Sequence, residues 1–82
     1  MNMIISKKAQ KYYDKSPKNI QEKLDEIFKD ICKGKGDIEK LKGKKNQYRY
    51  KTYHYRVLFT LDITTKTIVI EKIGPRGDVY NE

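Results

Sequence analysis

Tryptophan is absent, proline occurs twice, cysteine and histidine once each, and no long apolar run interrupts the 82 residues. Each scarcity excludes something. With Cys32 alone no intramolecular disulfide can form, and one Cys with one His, His54, cannot make a zinc site. No metal centre is therefore expected. A membrane span needs ~20 successive apolar residues, and the sequence holds no such stretch. Met1-Asn2-Met3-Ile4-Ile5 is too brief for the core of a signal peptide, so the expected location is the cytoplasm, without a membrane. There is no phosphate-binding glycine loop, no paired-carboxylate site and no Gly-x-Ser-x-Gly, and no cofactor is expected. The length leaves room for a single domain over residues 1–82.

What the chain does have is positive charge: 19 Lys and Arg against 11 Asp and Glu, a formal net of +8. The excess is concentrated. Residues 33–56 carry nine basic and two acidic side chains, while residues 1–32 carry seven and five and residues 57–82 three and four. Such a segment is either a solvated basic loop or a face for an anionic ligand, most often nucleic acid. Four of the seven tyrosines, Tyr48, Tyr50, Tyr53 and Tyr55, lie inside it. Aromatic rings among cations are what single-stranded RNA recognition uses, since bases stack on rings while phosphates meet Lys and Arg. The same tyrosines also suit strands with one side in a core.

Hydrophobic periodicity orders the elements. Met3-Ile4-Ile5 reads as a short opening strand. Ser6 caps a helix to about residue 14, with Ala9, Tyr12 and Tyr13 on one side. Ser16-Pro17 starts a second helix of about 16 residues, with serine at the cap and proline at the first helical position. Its stripe is Ile20, Leu24, Ile27, Phe28 and Ile31, and Gly34 ends it. Ile38-Glu39-Lys40-Leu41 is too short to assign. After Asn46 the period changes to two: Tyr48 and Tyr50 alternate with Arg49 and Lys51, then Tyr55, Val57, Phe59 and Leu61 with Arg56, Leu58 and Thr60. Residues 62–66 read as a hairpin loop and residues 67–73 as a β-branched strand that Gly74-Pro75 stops. The order β-α-α-β-β-β predicts an α+β fold, an antiparallel sheet with a helical hairpin packed on one face.

Arg49 and Lys51 are two apart on one strand and point to one face of the sheet, where Arg56 joins them if the next strand pairs alongside. Cations around a phosphodiester stabilise the extra negative charge of a pentacovalent transition state. They also disfavour the charged form of a lysine among them, which can then take a proton from a ribose 2′-OH; arginine cannot. In a metal-free ribonuclease Lys51 would be the base and the arginines the electrostatic clamp. The other reading of the Arg49/Lys51 pair is an edge strand protected by charge.

Leu41-Lys42-Gly43, Tyr48-Arg49-Tyr50-Lys51, Tyr55-Arg56-Val57-Leu58-Phe59 and Ile73-Gly74-Pro75-Arg76-Gly77-Asp78-Val79-Tyr80 resemble the RelE/ParE superfamily of type II toxin–antitoxin toxins. The opening Ile5-Ser6-Lys7-Lys8-Ala9 and Ser16-Pro17 look like its N-terminal strand and helical hairpin. The resemblance covers essentially the whole chain. The superfamily divides into RelE-like ribonucleases that cut mRNA in the ribosomal A site and ParE-like proteins that poison gyrase. It implies catalytic roles for Arg49 and Lys51 beside the scissile phosphate, Arg56 and Arg76 in charge stabilisation, and Tyr80 against the substrate nucleotide. Beside them, the basic and tyrosine-rich segment offers a candidate RNA-binding surface of Lys42, Lys44, Lys45, Tyr48, Tyr53 and His54. The basic set with a tyrosine at position 80 favours the nuclease branch. The pattern departs where Arg49 replaces the lysine best known at the first strand position and Tyr53 replaces a turn glycine. The implied partners are an acidic cognate antitoxin, the ribosome and A-site mRNA, with the toxin monomeric when free and hetero-oligomeric with its antitoxin. The alternatives are a ParE-like gyrase-binding toxin and a catalytically silent member that binds only antitoxin or ribosome.

Overall fold

The computed structural model describes residues 2–76. Strand β1 (Asn2–Ile5) leads into helix α1 (Lys7–Lys15) and helix α2 (Lys18–Lys33). Four strands follow, β2 (Asp37–Lys40), β3 (Gln47–Lys51), β4 (Tyr55–Asp62) and β5 (Thr67–Pro75). They form one five-stranded sheet in the order β1-β5-β4-β3-β2. The α+β architecture is the one the periodicity implies. Two features are added to it: Asp37–Lys40 is a strand of its own, antiparallel to β3, and β1 runs parallel to β5, so the sheet is mixed.

Local chemistry places the helix ends. Ser6 Oγ accepts from Ala9 N at 3.1 Å and donates to the Glu71 carbonyl at 2.8 Å, so one hydroxyl caps α1 and ties it to β5. Ser16 does not cap α2 as its sequence suggests. It ends α1, with Oγ donating to the Tyr12 carbonyl at 2.8 Å, and Pro17 holds the N-cap position of α2. Proline has no N–H to leave unsatisfied at a helix start, but α2 then begins without a side-chain cap. Gly34 closes α2 in the left-handed conformation, and Lys35 N reaches back to the Asp30 carbonyl at 2.9 Å.

One face of the sheet carries the core. Leu24, Ile27, Phe28 and Ile31 of α2 and Ala9 of α1 are buried together with Tyr50, Val57, Phe59, Ile68, Ile70 and Ile73. Ile70 and Ile73 are an odd number apart and would point to opposite faces of a regular strand. A register shift resolves this: Leu58 pairs with Lys72 but Phe59 pairs with Ile70, leaving Glu71 as the extra residue of a bulge. The Glu71 carboxylate then accepts from Thr60 Oγ1 at 2.9 Å. Gly74 and Pro75 continue β5 opposite Arg56 and Tyr55 and do not stop it. Proline is tolerated there because β1 pairs only with Thr67 to Ile70, so at Pro75 the side of β5 away from β4 is a sheet edge.

Gly36 is required by its surroundings. Its φ is +96°, and a Cβ there would lie 2.5 Å from the Tyr50 ring. The ring is held by its hydroxyl, with Tyr50 Oη donating to Asp30 Oδ2 at 2.8 Å. Burial, then that hydrogen bond, push the Tyr50 phenol up to about 12.

Candidate phosphate-binding face

The second face of the sheet is the one the helices leave uncovered. On β3, Arg49 and Lys51 alternate with Tyr48 and Tyr50; since Tyr50 is in the core, the two cations project to the uncovered side. Directly paired residues share a face, so the register extends the set. Lys51 pairs with Arg56 on β4, and Arg56 pairs with Gly74 on β5. The glycine leaves no side chain next to the arginine. Leu58 and Lys72 form the next row.

Arg56 is 8% exposed. Its Nη1 donates to the Thr52 carbonyl, and to the Tyr55 carbonyl at 2.9 Å. Those carbonyls belong to the turn between β3 and β4, which Thr52 also closes through Tyr55 N to Thr52 Oγ1 at 2.9 Å. The guanidinium therefore clamps this turn as well as carrying charge beneath the face. At the tip, Tyr53 is 78% exposed and its ring meets the exposed His54 imidazole edge-on at 4.7 Å between centroids. Arg76, just past β5, donates its backbone N–H to the His54 carbonyl at 2.9 Å and is itself exposed. One end of the sheet thus gathers Lys51, Arg56, Arg76, Tyr53 and His54, with Arg49 one row further along.

Other residues expected at the site are elsewhere. Tyr48 is on the helix-facing side, where its ring stacks on Phe59 at 5.5 Å between centroids. The period of two that sends Arg49 and Lys51 to one face sends Tyr48 to the other, so it cannot stack a base beside them. Lys42, Lys44 and Lys45 line a shallow cleft in the β2–β3 loop, at the opposite end of β3 from the turn. Four strand steps separate Gln47 from Lys51, about 13 Å at ~3.3 Å per residue. Tyr80 lies outside the described residues.

The sequence reading missed two carboxylates. Asp37 pairs with Lys51 and Glu39 with Arg49 across β2 and β3. Glu39 Oε2 accepts from Arg49 Nη2 at 2.9 Å and lies 3.3 Å from Lys51 Nζ, while Asp37 Oδ2 lies 3.7 Å from Lys51 Nζ. These are the two acidic residues of the basic segment, and both stand against its strand cations. The hydrogen bond from Arg49, then that from Lys51, hold the Glu39 carboxyl below the usual carboxylate range. The signal was the alternation in Asp37-Ile38-Glu39-Lys40, which is visible only once these residues are known to be a strand. Among the described residues no group of three or more His, Cys, Asp or Glu gathers to hold a metal ion. No described helix is long and apolar enough to cross a membrane.

No family model matches the sequence, and no curated protein matches it. Solved structures do. A chain of the archaeal RelE–RelB complex from Pyrococcus horikoshii is 30% identical, with 94% of this chain and 96% of that one covered and a TM-score of 0.75. The chain belongs to the RelE family. Its fold is equally that of the isolated E. coli RelE toxin, at 20% identity over 98% of this chain and 90% of that one with a TM-score of 0.76. A chain of the RelB–RelE antitoxin–toxin complex from Methanococcus jannaschii is similar at 23% identity, covering 95% of both chains with a TM-score of 0.74. Within the RelE fold, the uncovered sheet face and the β3–β4 turn of this member carry the cations described above.

Proposed function

We propose that this RelE-family chain is the toxin of a type II toxin–antitoxin pair and an endoribonuclease that cleaves mRNA on the ribosome. The observation that carries the reading is the register of Lys51 opposite Arg56 on the helix-free face, with Arg49 in the adjacent row and Arg76 docked beside His54. A phosphodiester laid over this end of the sheet meets several cations at once. Its ribose 2′-oxygen attacks the adjacent phosphorus, forming the O2′–P bond while the P–O5′ bond breaks. Lys51, having given its own proton to solvent, takes the 2′-OH proton; Arg49, Arg56 and Arg76 neutralise charge on the phosphorane and on the departing O5′, which takes a proton from solvent water to leave as a 5′-OH. The other product carries a 2′,3′-cyclic phosphate. The mechanism asks no metal to supply the nucleophile.

The exposed ring of Tyr53 and the His54 imidazole border the scissile position and offer stacking surface for a flanking base. Tyr80, the residue expected against the substrate nucleotide, lies outside the described residues. The lysine-rich β2–β3 loop, some distance away, is suited to docking on ribosomal RNA and not to chemistry. The expected regulator is an acidic antitoxin with an apolar stripe; two of the structures of similar fold are chains of RelB–RelE complexes.

Induction of the protein followed by ribosome profiling tests the reading. Cuts within A-site codons and arrested translation are expected. Intact mRNA together with DNA-damage signalling would overturn it in favour of a gyrase-directed toxin.

A further inference from the structure

The two strongest cations of the face are already engaged. Arg49 side-chain exposure is 14% and Lys51 29%, and carboxylates of β2 stand against them, Glu39 against both and Asp37 against Lys51. A carboxylate oxygen between a guanidinium and an ammonium offers the same anionic acceptor as a non-bridging phosphate oxygen. Glu39 bridges the two with a single oxygen, at 2.9 and 3.3 Å, in the position an incoming phosphate would take to meet both cations.

We propose that Glu39, assisted by Asp37, is an internal anionic occupant of this cation pair, which a phosphate chain must displace, so that the site selects polyanions over single anions. The proposal rests on reading this face as a phosphate site. Three features support it. The carboxylates are tethered to a strand in fixed register with β3, so their effective concentration at the cations is on the millimolar scale or above, and a free monoanion competes poorly. They are releasable: Glu39 is 49% and Asp37 64% exposed, so a displaced carboxylate turns into water. A polynucleotide has what a monoanion lacks, further phosphates for Arg56, Arg76 and the lysines, and these offset the displacement. Because its neighbours hold the Glu39 carboxyl below the usual range, it stays ionised through the neutral range and the cover does not lift with ordinary changes of pH.

A charged strand pair can also serve only to hold β2 on the sheet edge, and salt dependence separates the two roles. The test uses wild type, Glu39→Gln and Asp37→Asn with a fluorescein-labelled single-stranded 2′-deoxy dodecamer, which cannot be cleaved by 2′-OH attack. Anisotropy titrations run from 50 to 300 mM NaCl, with inorganic phosphate as competitor. Glu39→Gln is expected to bind the oligonucleotide three- to tenfold more tightly at 50 mM salt. Its plot of log affinity against log salt should steepen by about 0.7, the increment for one further phosphate contact on a single strand. Asp37→Asn should shift both in the same direction by less, and inorganic phosphate should compete measurably only in the variants. Unchanged or weaker binding by a Glu39→Gln protein that melts like wild type overturns the proposal. If that variant does not fold, Asp37→Asn, whose contact is longer, decides it by the same two readouts. Since the probe is not cut, a protein inactive on ribosomes but showing these shifts refutes the nuclease reading alone. Absence of oligonucleotide binding by every variant refutes the phosphate face itself.

Discussion

Arg56 has two jobs in this account, and replacing it separates them. In Arg56→Ala the guanidinium hydrogen bonds to the Thr52 and Tyr55 carbonyls vanish, and the buried stem of the side chain leaves a void beside Gly74. A hydrogen bond to a charged group contributes roughly 1.5–3 kcal/mol net. Two such bonds share one nitrogen here, and the freed carbonyls sit in a turn that water can reach, so the expected loss is about 3 kcal/mol in total. Set against about 4–12 kcal/mol for a domain of this size, from ~0.05–0.15 kcal/mol per residue, that is a large fraction. In urea, with a slope of roughly 1–2 kcal/mol per molar, the unfolding midpoint should fall by about 2 M. Arg56→Lys keeps the charge but has a single point donor in place of a fork, and should recover less than half of the loss. Cleavage should then be assayed at a temperature where both variants are folded, and should fall further than the folded fraction accounts for. An Arg56→Ala protein within about 0.5 kcal/mol of wild type would refute the clamp and leave the residue only its charge.

The Tyr50–Asp30 contact predicts an alkaline signature. The folded phenol is raised to about 12 from an unfolded value near 10, so its contribution is fully present below pH 10 and is lost as pH climbs toward 12. The full effect amounts to about 2–3 kcal/mol at roughly 1.4 kcal/mol per pH unit, of which about 1.7 kcal/mol should be lost between urea melts at pH 9.5 and 11.5 in wild type but not in Tyr50→Phe. Gly36→Ala places a methyl 2.5 Å from the same ring at a φ of +96°, and should lower the melting temperature by about 10 °C or more, at ~4–8 °C per kcal/mol. A shift below 3 °C would mean that the loop relaxes freely around the ring.

How much of this was legible follows from how far each signal extends along the chain. The stripe from Ile20 to Ile31 and the alternation through Tyr50 and Val57 are long enough for their periods to stand out, and they fix which faces meet in the core. The same alternation places Arg49, Lys51 and Arg56 together and sends Tyr48 away from them. Asp37–Lys40 is a strand because it pairs with β3, and four residues carry too little pattern to say so alone. The carboxylates on the cation pair were hidden with it. Glu71 breaks the alternation of β5, and only the pairing with β4 shows that the break is a bulge that returns Ile73 to the core. Gly74-Pro75 has the composition of a stop, yet the partner strand carries the pairing two residues further. The parallel seat of β1 is a tertiary choice with no local trace in Met3-Ile4-Ile5.

The central claim is that the cations at the turn end of the sheet perform a phosphodiester cleavage. Translating ribosomes programmed with a defined message, incubated with wild type, Lys51→Ala and Arg76→Ala, test it most directly when the 3′ ends of the fragments are mapped and identified. Wild type should yield A-site fragments ending in a 2′,3′-cyclic phosphate or 3′-phosphate with a 5′-OH on the partner fragment. Each variant should lose at least a hundredfold in rate while keeping the wild-type melt. Cleavage by both folded variants at the wild-type rate would contradict the account.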